Sequence, residues 1–184
     1  VVLLEKNDSL GKKLLITGKG RCNFTHYEFD RVKLAEKFGK EGRFLYSALD
    51  HFGVREVLNF FQSRGLTWRV ERGNRVFPKE GNAQDVLRIL TCYLREGGVN
   101  FFCNCRVSDI EIIQNGSEKF KIIYSGGELF SEKVILSTGG KSYSQTGSSG
   151  DGYHWAEKFG HTIINPEPSL NPVETAEKWV KEVQ

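Results

Sequence analysis

Residues 1–6, Val1-Val2-Leu3-Leu4-Glu5-Lys6, decide the fold class. Four apolar residues in succession, two of them β-branched, predict a strand buried on both faces of a parallel sheet; a strand with one wet face would alternate. Asn7, Asp8, Ser9 and Gly11 then supply the turn chemistry that leads the chain away from it. The run has no cleavage-site character of a targeting peptide, and the 184 residues contain no methionine, so Val1 is not an initiator. We therefore expect the chain to begin inside a domain whose first strand lies upstream.

Outward from this run, residues 11–27 are rich in glycine and cations and show no clean period, so they predict a long loop, and long loops in compact domains tend to be functional. Val54, Val57, Leu58 and Phe61 follow helical spacing, with Gly65 placed to end the helix. Ala83, Val86, Leu87, Leu90 and Leu94 repeat that spacing, with Asn82 as N-cap, Asp85 in the first turn and Gly97-Gly98 as the stop. TWRV and NRVFP between them predict two short strands, the second closed by Pro78. From Val99 the period becomes that of strands, with turns at Asn115-Gly116 and Gly126-Gly127, which predicts an antiparallel meander over about 106–133. An apolar strand, Val134 to Leu136, runs into Ser137-Thr138-Gly139-Gly140. A helix is expected over about Gly152 to Phe159, opened by Asp151 as N-cap. Pro166, Pro168 and Pro172 break regular structure, and residues 171–184 read as a polar, weakly helical linker.

Composition removes several classes of function. The 26 basic residues nearly cancel 23 acidic ones, leaving +3, too little to argue for nucleic acid as the main partner. The longest purely apolar run, Val1 to Leu4, is far short of the ~20 residues of a membrane-spanning helix. Cys22, Cys92, Cys103 and Cys105 are too few and scattered for a disulfide scaffold, which points to a reducing cytoplasm. Cys103 and Cys105 have no second ligand pair at zinc spacing, so no metal is expected. No nucleophile elbow or Ser-His-Asp pattern is present, and catalytic residues are not readable.

Three places can approach a ligand. Glu5 ends its strand where dinucleotide-binding folds keep an acid for ribose hydroxyls, although a solvated strand end has the same look. In residues 11–23, Gly18 and Gly20 expose backbone N–H groups while Lys12, Lys13 and Arg21 can offset phosphate charge. The spacing is not that of a Walker A loop, and a basic surface loop is the plain alternative. Thr138, Gly139 and Gly140 end the strand from Val134, at the edge where ligands of open α/β sheets gather.

LLEKND (3–8), GKKLLITGKGRCNFT (11–25), GRFLYSAL (42–49), GNRVFP (73–78) and STGGKSYSQTGSSGDGYHWAEKFGHTI (137–163) followed by PEPSLNP (166–172) carry a specific resemblance. In this order the motifs resemble a family of bacterial FAD-dependent flavoproteins similar to aminoacetone oxidase and the flavin-dependent bile-acid reductases. The resemblance implies an α/β fold: a partial glutathione-reductase-type, Rossmann-like FAD-binding domain over 1–170, its first strand missing, with a linker at 171–184 towards an inserted domain. It implies that Glu5 binds the AMP ribose, that Lys12 and Lys13 neighbour the adenosine and phosphates, and that Gly18, Gly20, Arg21, Cys22 and Asn23 line the pyrophosphate and flavin. It further implies that Val107 offers backbone groups to adenine, that Thr138, Gly139 and Gly140 meet the cofactor, and that the Gly147–Gly152 turn lies towards the flavin. His26 stands where the family usually has Asn, Ser144 replaces a usual Pro, and Lys79-Glu80-Gly81-Asn82 replaces a Ser- and Lys-containing segment. The implied activity is that of an FAD-dependent oxidoreductase, an amine or aminoketone oxidase or an NAD(P)H-linked reductase, acting on a small-molecule substrate. A non-catalytic nucleotide-binding module is the alternative. Oligomeric state is not readable.

Overall fold

The structure, a computed structural model, describes residues 1–168. Its Rossmann-like feature is a parallel pair: β1 (Val2–Leu4) lies beside β5 (Asn100–Phe102) in the register Val2↔Asn100, Leu3↔Phe101, Leu4↔Phe102. The parallel arrangement is as expected, but burial on both faces is not: Val1 and Val2 are exposed and only Leu3 and Leu4 are half-buried. A strand is buried on both sides only when neighbours cover it, and among the described residues β1 pairs with β5 alone.

The regular elements between the paired strands are helices or strands of a second sheet. The residues expected as a loop, 11–27, contain α1 (Lys12–Ile16), a 3-10 turn over Thr17–Gly20, and β2 (Thr25–His26). Next come α2 (Arg31–Glu36), a 3-10 segment over Gly39–Leu45, and α3 (Tyr46–His51), none of which shows a long apolar period. Asp30 caps α2, its carboxylate accepting from the Val32 N–H at 2.8 Å. Then α4 (Val54–Gln62) leads into β3 (Trp68–Glu71) and β4 (Arg75–Pro78), which with β2 form an antiparallel sheet in the order β2-β4-β3. α5 (Ala83–Glu96) begins as its sequence predicts: Asn82 accepts from the Gln84 N–H and Asp85 accepts from the Asn82 N–H, a reciprocal capping box.

Two adjoining cores organise this half. Cys22, Phe61, Leu66, Ala83, Val86 and Ile89 form one, between α1, α4 and α5. Leu34, Val54, Leu58 and Val76 form the other, under β2-β4-β3. Truncating a filled position such as Leu58 to Ala costs roughly 2–5 kcal/mol in comparable cores.

After β5, the strands β6 (Val107–Asn115), β7 (Glu118–Tyr124) and β8 (Gly127–Ser131) form an antiparallel three-stranded sheet in sequence order. Ile110 and Ile122 on its inner face meet Trp155 of α6 (Asp151–Lys158), with Leu4 of β1 at the edge of the same cluster. Val134 to Leu136 does not form the expected strand. Among the described residues it has no ladder partner, Ile135 is 89% exposed, and only Val134 reaches the core. Asp151 is not the N-cap of α6 either: Gly150, left-handed at φ 88°, takes that position and Asp151 is the first helical residue. Pro172 and the linker at 171–184 lie outside the described residues. No helix of the described residues is long and apolar enough to cross a membrane.

Candidate functional site

Glu5 leaves the carboxyl end of β1 with its N–H donated to the Phe102 carbonyl at 2.9 Å, so the parallel pairing continues one residue past the strand. Its carboxylate accepts from the Asn7 N–H at 2.8 Å, which bends the chain sharply after Lys6. The Glu5 and Asn7 carbonyls accept from Cys105 and Asn104 N–H groups, at 2.9 and 2.7 Å. Asn104 is left-handed (φ 57°), which breaks strand alternation between Cys103 and Cys105. Burial pushes the Cys103 thiol above its ordinary value, and the nearby carboxylates of Glu5 and Asp8 push it the same way.

This bend is tied to the glycine-rich segment more than a hundred residues away. Lys6 Nζ donates to Asp151 Oδ2 at 2.9 Å and also to Ser149 Oγ, while Ser149 donates to Asp151 Oδ1 at 2.9 Å. The Lys6 ammonium holds the Asp151 carboxyl below its ordinary value against a smaller opposing effect of burial. Asn7 donates to the Thr146 carbonyl at 3.0 Å, and a Cβ on Gly147 would meet its Nδ2 at 2.6 Å. Lys13 donates to the Ser142 carbonyl and to Ser148 Oγ, the latter at 3.1 Å, and lies 5.6 Å from the centre of the Tyr143 ring. Lys6, Asn7, Ser148 and Asp151 were not singled out as binding residues, because each acquires its role from a partner far away in sequence. The one legible signal is the density of short polar residues in TGSSGDG.

The expected residues other than Val107 thus fall into two groups. Glu5, Lys12, Lys13, Thr138, Gly139 and Gly140 lie in the two segments joined by these contacts. Gly139 is left-handed (φ 75°), and its open side is filled by Ser148 Oγ, 2.9 Å from where a Cβ would sit. Tyr153 Oη stands 3.3 Å from the equivalent point on Gly140, and Thr138 Oγ1 closes on Gly152. Lys12 does not face open solvent as a bare cation; it pairs with Asp8 at 2.8 Å, four residues earlier. Val107 opens β6 opposite Tyr124, just before an irregularity in register, and packs at the edge of the Trp155 cluster.

The second group, Gly18 to Asn23, is built onto β3 and β4. Gly18, Lys19, Gly20 and Cys22 all have positive φ (56°, 57°, 82° and 61°). Gly18 is required by close approach: a Cβ there would meet Phe77 Cε1 at 2.8 Å. Gly20 is different, with only the Leu15 carbonyl within 4 Å, at 3.9 Å, so its outer face is open. The N–H groups of Arg21 and Cys22 are already given to the Gly18 and Thr17 carbonyls, at 3.3 and 3.0 Å. Arg21 does not extend as an isolated cation. Its Nη1 donates to both Glu71 carboxylate oxygens, at 2.9 and 3.0 Å, and its guanidinium lies 4.2 Å from the Phe77 ring centre. Cys22 is buried, and that burial pushes its thiol up despite a hydrogen bond with Thr17. The Asn23 side chain accepts from the Val76 N–H at 3.2 Å, pinning the loop to β4. The open backbone face therefore lies over Gly20, while Lys12, Arg21, Cys22 and Asn23 brace the loops with their side chains. Among the described residues, no three His, Cys, Asp or Glu gather as a metal-ligand group.

Comparison with known proteins finds relatives along nearly the whole chain. The chain is 36% identical over 171 residues to a 3-dehydro-bile acid delta(4,6)-reductase of Clostridium scindens, covering 92% of this chain and 40% of that protein. It is 28% identical over 173 residues to a ribosomal RNA dihydrouridine synthase of Haemophilus influenzae (94% and 42%). It is 27% identical over 184 residues to one of the same name from Escherichia coli (100% and 44%). The chain spans less than half the length of these curated relatives. A family model described as the HI0933-like protein Rossmann domain matches residues 1–176. FAD is the cofactor that these matches support, as the sequence motifs led us to expect. By this match along nearly its whole length, the chain belongs to the HI0933-like family.

Proposed function

We propose that this chain is part of an FAD-binding domain of the glutathione-reductase type, within a flavin-dependent reductase. One observation carries the reading: the acidic end of a parallel strand is clamped by Lys6, Asn7 and Lys13 against the Ser142–Asp151 segment, beside a loop whose Gly20 face is open. Glu5 would accept hydroxyls of the AMP ribose, as acids at this strand end do. Gly20 and the Thr138–Gly140 backbone would lie along the pyrophosphate and flavin, and Val107 would offer its backbone to adenine. Lys12, Lys13, Arg21, Cys22 and Asn23 would act on the cofactor by holding these backbones in place. Bound FAD supplies hydride and electron transfer; the protein orients it and keeps water away.

The reductive direction is favoured by the relatives' names. Reduction at a bile acid's delta(4,6) positions and formation of dihydrouridine both describe saturation of carbon–carbon double bonds, two electrons for each bond. An amine or aminoketone oxidase has no such support. The full-length protein, purified aerobically, is expected to carry flavin absorption, to bleach anaerobically with NADH or NADPH, and to regain colour on adding a conjugated enone. A colourless protein indifferent to FAD overturns the cofactor placement. A flavin that neither nucleotide bleaches favours the non-catalytic nucleotide-binding module, and a flavin bleached by an aminoketone alone restores the oxidase.

A further inference from the structure

The face of the β2-β4-β3 sheet opposite Trp68 and Val76, partly covered by the Gly18–Gly20 loop, carries more positive charge than its own ion pairs neutralise. In an antiparallel ladder, directly opposed residues share a face. The pairs Arg69↔Phe77, Glu71↔Arg75 and His26↔Arg75 therefore put these five side chains on one side, while Trp68 and Val76 turn to the core. Three guanidiniums on this face compete for one carboxylate. Arg21 holds both Glu71 oxygens, and Arg69 holds Oε1 at 2.9 Å. Desolvation raises the Glu71 carboxyl, but the two arginines together bring it below its ordinary value. Arg75 receives no carboxylate among the described residues; its Nε donates to the Arg72 carbonyl at 3.0 Å, and its guanidinium lies 5.7 Å from the Phe77 ring centre. Arg72, at the hairpin tip, makes no ion pair among the described residues either. His26 Nε2, on the same face, is buried with no hydrogen-bond partner there. Phe77 joins this face to the glycine loop, since Gly18 packs directly on its ring.

We infer that this face is an oxyanion-recognition site for a phosphoryl group, anchored by Arg69 and Arg75 and lying beside the Gly18–Gly20 loop. Arginine forks match phosphate oxygens, and an exposed guanidinium without a carboxylate keeps its donors for an incoming anion. Glu71 saturates Arg21 and aligns Arg69, leaving Arg75 as the principal donor. The inference rests on the cofactor reading above for its role: the phosphoryl group belongs to the substrate or to the hydride donor, not to FAD.

Calorimetric titration of inorganic pyrophosphate into the full-length protein, saturated with FAD, tests this. Binding to the parent is expected, with affinity reduced about tenfold or more in the Arg69→Gln/Arg75→Gln variant and largely restored in Arg69→Lys/Arg75→Lys. Flavin absorption and melting temperature are expected to be unchanged in both. Displacement of pyrophosphate by NADPH but not NADH assigns the site to a donor's extra phosphate, and displacement by a uridine oligonucleotide assigns it to a nucleic-acid substrate. No pyrophosphate binding, equal binding by the Gln variant, or competition between pyrophosphate and FAD overturns the inference. Flavin content is read separately: a protein that binds pyrophosphate through these arginines but never takes up FAD refutes the cofactor reading and leaves the anion site standing.

Discussion

Gly18 and Gly20 are two residues apart, both left-handed, and under different constraints. At Gly18 a methyl group meets both an unfavourable φ and the buried Phe77 ring; at Gly20 it meets the unfavourable φ alone. Gly18→Ala is therefore expected to lose roughly 2–3 kcal/mol of stability, and Gly20→Ala only about 1 kcal/mol. FAD affinity should show the reverse order, because only the Gly20 methyl would enter the open face. Denaturant unfolding and a flavin titration on the same two variants separate these effects; equal losses in both measurements would refute the distinction. Residue types were informative here and their partners were not. A positive-φ glycine after a basic run is visible in sequence, whereas the pairing of Arg21 with Glu71, fifty positions on, is not.

Among the elements, α6 is held to the bend after β1 by an ion pair at its first turn. Because Lys6 depresses the Asp151 carboxyl, the pair stabilises the folded state at pH values above the ordinary carboxylate range, near 4. That contribution disappears as pH falls through the depressed folded value. Asp151→Asn should thus lower stability by no more than about 1 kcal/mol at neutral pH. The difference from the parent should vanish in acid. Melting curves between neutral pH and about pH 3 check this, and a difference that grows in acid would reverse the assignment. Elements with long apolar periods and explicit caps, α4 and α5, were legible because their signals are local. α1 was not: it has five residues, opens on a left-handed Gly11 with no side-chain cap, and buries little besides Leu14 and Leu15. Val134 to Leu136 misled in the opposite way. Its composition suits a strand, but a ladder requires a neighbour, and no described residue supplies one.

For the whole molecule, the candidate site adjoins a parallel strand pair with little cover. Parallel sheets depend on cover from both sides, yet β1 pairs only with β5, and Val2 and Ile135 are exposed. The 184-residue chain alone is accordingly expected to bind FAD at least tenfold more weakly than the full-length protein, read by quenching of flavin fluorescence. Equal affinity would mean that these 184 residues already form the entire cofactor shell.

The pairing of Val2 with Asn100 has a temporal consequence. Helices, hairpin and capping contacts between them form over short separations, whereas joining β1 to β5 closes a loop made of nearly all that intervening chain, which slows its formation. The nucleotide end should consequently be the last region to assemble when the protein refolds, so that cofactor capture coincides with the completion of folding instead of following it.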